Sequence, residues 1–428
     1  MKKKIHVKEL RLGMFLQAFE GGWIDHPFWR TAFLLQSADD LARAQGGTVV
    51  YCWINTSLGL DVAPTASSEP ETADASPASG SAVADLAERP VDTSRETAPI
   101  SLAQELHRAS RICKAASSQV LTMFNEARMG RALDVRDCLP FVNDIAESVY
   151  RNPGALVSLA RLKTNDDYSY MHSVAVCALM VALGRQLGLT SDQCHEAGMA
   201  GLLHDIGKAV MPTQVLNKPG KLDDGEFEII RTHPVRGYEL LKEGGSASDV
   251  ALDVCLHHHE KFDGSGYPHG LAGDAIQLFA RMGAVCDVYD AITSDRPYKA
   301  GWDPAESVAR MAQWTGHFDP AVFSAFVASV GIYPVGSLVV LESKRIAVVV
   351  EQRAGALTKP VVKAFFSQRS KMPISPVLID LSAQGCTDRI SARQDTAGWN
   401  EREAAILWAG EAVPKGYKAT KGSSVKRR

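Results

Sequence analysis

The sequence lacks paired cysteines, long apolar runs and an excess of charge of either sign. Its eight cysteines are scattered over 428 residues without a Cys-x-x-Cys pair, so zinc ribbons and disulfide frameworks are not expected. The most apolar run, 174–183, has about half the length that a helix needs to span a bilayer. Glu9 and Arg11 interrupt the start where a signal peptide would be apolar. A net charge of −3 gives no broad basic surface for a nucleic-acid polymer. We therefore expect a cytoplasmic protein without a membrane span.

The order of sequence patterns predicts a mainly α-helical chain with small β parts towards both ends. Thr48 to Ile54 is β-branched and aromatic, which predicts a strand, whereas apolar residues after Leu102 recur at helical spacing. Strand-like runs return after Gly336. The predicted parts are a small N-terminal β-containing domain (1–62), a flexible linker (63–100), connecting helices (101–150), an all-helical catalytic domain (151–330), a small β module (331–385) and a mostly disordered basic tail (386–428).

Histidine and aspartate concentrate in the helical region. Seven of the twelve histidines fall between His172 and His259, and His204 stands directly before Asp205 at the polar end of an apolar helix. A lone buried histidine is most simply a core residue, but two adjacent ionisable groups are costly to bury without a partner. Imidazole and carboxylate without thiolate are the ligand set of a hydrolytic iron, manganese or zinc centre.

Several motifs together resemble the HD-GYP family, bacterial metal-dependent phosphodiesterases that hydrolyse cyclic di-GMP. The most specific is HHEKFDGSGYP at 258–268. The others are His204-Asp205 with Lys208, His233-Pro234, DVYDA at 287–291 and SDRPYK at 294–299. The resemblance covers about 151–330 and implies an all-helical HD-type domain. Residues 7–14 resemble a small domain of unknown function that often precedes HD-GYP domains.

The resemblance also implies a role for each matched residue. One divalent ion would be bound by His172, His204, Asp205 and Asp287, and a second by Asp205, His233, His258 and His259. Asp205 would bridge the two ions, which activate the attacking hydroxide. Lys208 would act with Asp205 in catalysis, and the substrate would contact Gly266, Tyr267, Arg296 and Lys299. The alternatives are a solvated helix-end lysine for Lys208, a packing plug for Tyr267 and surface ion pairs for Arg296 and Lys299.

One position departs from the family pattern and bears on the number of metals. Members with three metals carry a glutamate one turn before the first histidine ligand, where this chain has Tyr168, a poor ligand for a hard ion. We therefore expect two ions per chain, iron or manganese, and linear pGpG as the main early product, with further cleavage to GMP open. Glu260, Asp263 and Asp290 are expected to orient ligands or fix loops.

Two other functions stay open on the sequence alone. One is a catalytically weak cyclic di-GMP sensor that acts through protein partners, and the other is an HD phosphohydrolase of another nucleotide. The GYP loop argues against the second, because ordinary HD enzymes lack it. We expect the N-terminal domain to contact regulatory protein partners, and a homodimer stays open.

Overall fold

The structure is a computed structural model that forms two compact units, 1–92 and 93–428. It describes residues 2–19, 33–35, 38, 41, 44–45, 51–61, 102–163, 168–218, 220–294, 301–353, 355–396, 399–414 and 417. Among the helices described, none is both long and apolar enough to cross a membrane. The predicted linker at 63–100 lies outside the described residues.

The first unit contains a four-stranded sheet. Its strands are β1 (Lys2–His6), β2 (Phe15–Phe19), β3 (Phe33–Leu34) and β4 (Tyr51–Asn55). They are antiparallel in the order β1-β4-β2-β3. Alternate residues of β4 are buried, with Cys52 and Ile54 inside and Tyr51 and Trp53 exposed, because side chains alternate across a strand. The β-containing N-terminal part is thereby confirmed.

The second unit is mainly helical. Its helices are α1 (Leu102–Arg128), α2 (Leu139–Arg151), α3 (Pro153–Ala160), α4 (Tyr168–Gln186), α5 (Ser191–Leu203), α6 (Thr213–Leu216), α7 (Asp224–Ile230), α8 (His233–Gly244), α9 (Asp249–His257), α10 (Leu278–Thr293), α11 (Pro304–Met311), α12 (Pro320–Val330) and α13 (Glu401–Ala409). Local sequence sets several starts: Thr190 and Gln193 form a reciprocal capping box at α5, which satisfies backbone N–H groups that the helix leaves unbonded.

Helix α4 lies at the centre of the helical core. The apolar run 174–183 is buried along its whole length, so the run serves as a core helix that is hydrophobic on every side. The helices expected to connect domains, α1 and α2, bury Val120 and Ile145 in the same hydrophobic core as α4 and α5. The catalytic helices therefore share one core with 102–151.

A five-stranded antiparallel sheet follows the helices. Its strands are β5 (Leu338–Leu341), β6 (Arg345–Glu351), β7 (Val361–Ser367), β8 (Met372–Asp380) and β9 (Ile390–Arg393), in the order β8-β7-β6-β5-β9. This sheet has its own small apolar core, which includes Val339, Val349 and Val362. The mainly α fold with small sheets towards both ends is confirmed.

The expectation that 386–428 is mostly a disordered tail is wrong for the described residues 386–396 and 399–414. Strand β9 completes the sheet by pairing with β5, and α13 buries Ala405, Trp408 and Ala409 in the helical core. Both depend on partners distant in sequence, so the polar composition around them hid their order. The basic residues from 418 onward lie outside the described residues.

Candidate metal centre

The His204-Asp205 pair lies where one helix ends and a tighter turn begins. Helix α5 ends at Leu203, and Asp205 precedes a 3₁₀ turn, Ile206–Val210. Lys208 lies in this 3₁₀ turn, and its ammonium group donates to Asp205 Oδ2.

Glycine at position 207 brings this turn against the start of α8. A Cβ at Gly207 would lie 1.9 Å from the carbonyl oxygen of His233 and 2.5 Å from the backbone nitrogen of Gly237. No larger residue fits such a backbone approach. Gly207 therefore places His233 beside the carboxylate of Asp205. The sequence around Gly207 did not reveal this role.

The structure brings all seven predicted ligands together from five parts of the chain. His172 comes from α4, His204 and Asp205 from the end of α5, His233 from the start of α8, His258 and His259 from the end of α9, and Asp287 from α10. Six are buried, and His259 is half-buried. Their potential ligand atoms form two groups, one of Asp205, His233, His258 and His259, and one of His172, His204 and Asp287, each with all its atoms within 4.8 Å.

Asp205 presents one carboxylate oxygen to each side of the cluster. Its Oδ1 lies 3.1 Å from His233 Nε2 and 3.7 Å from His258 Nε2. Its Oδ2 lies 3.4 Å from Nε2 of both His172 and His204. A carboxylate in this position can donate to two ions at once, which is the geometry that a bridging ligand requires.

Asp287 also reaches both groups. Its Oδ1 lies 3.0 Å from His172 Nε2 and 3.7 Å from His204 Nε2, and its Oδ2 lies 3.8 Å from His259 Nδ1. Thus His259 faces the cluster with Nδ1, whereas the other four histidines face it with Nε2.

The outward nitrogens of those four histidines are held by acceptors. Nδ1 of His204 lies 2.8 Å from the carbonyl oxygen of Gly201. Nδ1 of His233 lies 2.7 Å from the carbonyl oxygen of Ile230. Nδ1 of His258 lies 3.0 Å from each of two carbonyl oxygens of α9. A carbonyl only accepts hydrogen bonds, so Nδ1 carries the proton and Nε2 keeps its lone pair for the cluster.

Asp290 holds the fourth outward nitrogen and joins a buried ion pair. Its Oδ2 lies 2.6 Å from His172 Nδ1 and also accepts from the ammonium group of Lys163. Both partners of the ion pair are almost wholly buried. Asp290 thus occupies an orienting position, while Glu260 accepts from the amides of His269 and Leu271 in the neighbouring loop.

The histidines differ in how their surroundings affect protonation. Burial alone would lower the pKa of His172, but hydrogen bonds to three aspartates raise it to about 10. Burial dominates at His233, His258 and His259 and lowers the pKa of each, that of His259 to about 3. At neutral pH these three rings are therefore neutral, as a metal ligand must be.

The two carboxylates stay ionised despite burial. Burial would raise the pKa of Asp205, but Lys208 and the neighbouring histidines hold it well below the usual range. The hydrogen bond from His172 does the same for Asp287. The centre therefore combines two carboxylates with three neutral imidazoles, a donor set that suits first-row divalent ions.

Two buried atoms show that the cluster fits a metal. Among the described residues, His204 Nε2 and Asp205 Oδ1 are buried without a hydrogen-bond partner of good geometry, although such groups almost always have one. Both atoms point into the histidine–aspartate cluster, where a cation would satisfy them. The two groups are thus able to hold metal ions.

The GYP loop closes over one edge of the cluster. A Cβ at Gly266 would lie 2.3 Å from the Lys261 backbone nitrogen and 2.5 Å from Glu260 Cα, so glycine is needed there to close the loop on itself. The next residue, Tyr267, stacks on His259 with ring centroids 4.8 Å apart and planes 28° apart. Of the predicted substrate residues, these two adjoin the cluster.

Three predicted positions involve residues or side chains outside the described parts of the chain. Arg296 and Lys299 lie outside the described residues, and the side chain of Tyr168 is likewise not described. Sequence reasoning in turn missed two cations near the cluster, Lys163 and Arg231. Neither belongs to a motif, and only the fold brings each to its partner.

Comparison with known proteins agrees with this arrangement. The family model "HD domain" matches residues 141–322, and "Domain of unknown function (DUF3391)" matches residues 2–138. The chain is 52% identical over 419 residues to a cyclic di-GMP phosphodiesterase of Pseudomonas aeruginosa, covering 97% of this chain and 98% of that protein.

Two further relatives match the helical part. The cyclic di-GMP phosphodiesterase response regulator RpfG of Xanthomonas campestris is 37% identical over 208 residues, which are 47% of this chain and 54% of that protein. A 3'3'-cGAMP-specific phosphodiesterase of Vibrio cholerae is 36% identical over 180 residues, 40% of this chain and 41% of that protein. With the ligand cluster and the GYP loop in place, the chain belongs to the HD-GYP family of HD-domain proteins and carries the N-terminal domain DUF3391.

Proposed function

We propose that this chain is a metal-dependent phosphodiesterase that opens cyclic di-GMP to linear pGpG. The observation that carries the proposal is Asp205, whose two oxygens each face one group of histidines. The near full-length similarity to a cyclic di-GMP phosphodiesterase supports the choice of substrate.

Seven residues of the chain would hold two divalent ions, iron or manganese. His172, His204, Asp205 and Asp287 would hold one ion, and Asp205, His233, His258 and His259 would hold the other. When bound, such a pair supplies positive charge to the phosphodiester and lowers the pKa of water into the neutral range. The chain itself keeps the imidazole lone pairs aimed inward, through the carbonyls and through Asp290.

The remaining site residues act on the substrate. Lys208, about 29% exposed at its side chain, offers a cation to the phosphate at the mouth of the cluster. Tyr267 gives an aromatic face for the nucleotide beside His259, and the Gly266 turn holds that tyrosine in place. Arg296 and Lys299 contribute further positive charge for a dianionic dinucleotide.

We place the chain in the cytoplasm, because all eight cysteines are free thiols, which suits a reducing compartment. The N-terminal unit contacts regulatory protein partners and modulates turnover. A homodimer is compatible with this arrangement.

A panel of nucleotides tests the proposal. The anaerobically manganese-loaded chain is incubated with cyclic di-GMP, 3'3'-cGAMP and linear pGpG, and products are separated by chromatography. We expect the highest kcat/KM for cyclic di-GMP, with pGpG appearing before GMP. Preference for 3'3'-cGAMP, the substrate in the name of the Vibrio cholerae relative, would replace the proposed substrate, and tight binding of cyclic di-GMP without cleavage would favour a sensor.

A further inference from the structure

Arg231 lies over the ring of the loop tyrosine. Its Cζ is 4.8 Å from the centroid of the Tyr267 ring, within the range of a cation–π contact. The same tyrosine stacks on His259, with ring centroids 4.8 Å apart. Tyr267 therefore joins Arg231 to His259, a proposed metal ligand.

The backbone fixes Arg231 beside the centre. It is the C-terminal cap of α7, where its amide donates to the carbonyls of Phe227 and Ile229, and it stands two residues before His233. The ring of His233 in turn contacts that of His259, with centroids 5.0 Å apart. The guanidinium group is thus anchored to the same chain segment as a proposed metal ligand.

The guanidinium group of Arg231 can exchange its ion pair with Glu228 for a contact with a ligand. Its guanidinium forms an ion pair with Glu228 Oε1 at 2.8 Å, but the two side chains are 36% and 66% exposed. A pair this exposed contributes little stability. Its contact with the Tyr267 ring keeps the guanidinium beside the GYP loop, and the N–H edge of a guanidinium binds phosphate in a bidentate manner.

We propose that Arg231 binds the second, uncleaved phosphate of a cyclic dinucleotide, an inference that rests on the proposed function. A cyclic dinucleotide carries two phosphates on one ring, and only one can lie at the metal centre during cleavage. The other needs a cation near the centre but outside the ligand cluster, and Arg231 occupies such a position on the ring of Tyr267, which stacks on His259. Arg231 is therefore a specificity-determining residue for substrates with two phosphates.

Two substrates separate this role from a structural one. Cyclic di-GMP has two phosphates, whereas bis(4-nitrophenyl) phosphate is a diester with only one. For Arg231→Gln we expect a roughly 10- to 100-fold fall in kcat/KM for cyclic di-GMP, mainly through KM, since a charge-assisted hydrogen bond is lost. The single-phosphate diester should be hydrolysed at the wild-type rate. Arg231→Lys should recover part of the loss, because it keeps the charge without the planar fork.

Arg236→Gln is the matched control. Arg236 lies in α8 and forms an exposed pair with Glu239 at 3.0 Å, so its loss should leave both substrates unaffected. An equal fall on both substrates for Arg231→Gln would mean that Arg231 only supports Tyr267, and would overturn the inference. An unchanged KM for cyclic di-GMP would overturn it as well, while the proposed function stands. If the wild-type chain hydrolyses the simple diester but not cyclic di-GMP, the proposed function fails and this inference fails with it.

Discussion

Replacing Asp290 with asparagine tests the two roles of its buried carboxylate, which are the ion pair with Lys163 and the orientation of His172. Asp290 accepts from Lys163 and lies 2.6 Å from His172 Nδ1. The side chains of Lys163 and Asp290 are 1% and 0% exposed. Removing one charge from a buried pair costs about 3–5 kcal/mol, so Asp290→Asn should lose that much of its free energy of unfolding, measured by urea denaturation with chelator present.

A second variant tests whether this loss comes from the buried charge. Lys163→Met combined with Asp290→Asn removes both charges with similar side-chain volume, and such replacements are often neutral. We therefore expect the double variant to lose less than about 2 kcal/mol. The control Asp380→Asn breaks a half-exposed pair with Arg353 and should lose at most about 1 kcal/mol.

Metal affinity should behave differently from stability in these variants. Asp290 orients His172, and loss of such an orienting carboxylate typically lowers metal affinity about 10- to 100-fold. Both Asp290→Asn and the double variant should show this loss in a chelator competition assay. Wild-type metal affinity in Asp290→Asn would refute the orienting role, and a double variant as unstable as the single one would refute the buried-charge argument.

Four further outcomes follow from the same structure. Asp205→Ala should abolish turnover, because both proposed metal sites lose a ligand. Tyr267→Ala should mainly raise KM in steady-state assays. Substantial turnover by Asp205→Ala would show that the bridge is wrongly assigned. Deletion of 1–92 should leave a folded helical unit by circular dichroism, but deletion of 1–128 should not, because α1 belongs to the core; insoluble protein after the shorter deletion would contradict the division. Metal affinity should rise with pH, because a metal must displace the proton on the His172 ring. Below the His172 pKa of about 10, the rise should reach up to about tenfold per pH unit. A metal affinity that calorimetry finds independent of pH would contradict this. Metal analysis of the anaerobically purified chain should give two ions per chain. A value near three would mean that residues beyond the seven proposed ligands bind a third ion.

The sequence was most informative where chemistry is concentrated in short motifs. The HHEKFDGSGYP string and the His204-Asp205 pair identify the site, because ligating residue types recur there at fixed spacing. The central position of α4 follows equally from its apolar run. Element boundaries next to the site were less predictable, since the turn after Asp205 is a 3₁₀ turn closed by backbone contacts of Gly207.

Features that depend on distant partners could not be predicted. The role of Lys163 depends on Asp290, which lies 127 residues later. The role of Arg231 depends on the loop that carries Tyr267. Strand β9 likewise forms because β5 offers a free edge. Local composition does not encode such pairings, because neither partner is unusual by itself.

We propose that the clustered histidines and aspartates form a metal centre that hydrolyses cyclic di-GMP. The most direct test is turnover of cyclic di-GMP by the full chain, first loaded anaerobically with iron or manganese, then treated with chelator, then reloaded. We expect linear pGpG from the loaded protein, none after chelation, and recovery on reloading. Intact cyclic di-GMP with every divalent ion tried, or cleavage that chelation does not affect, would contradict it.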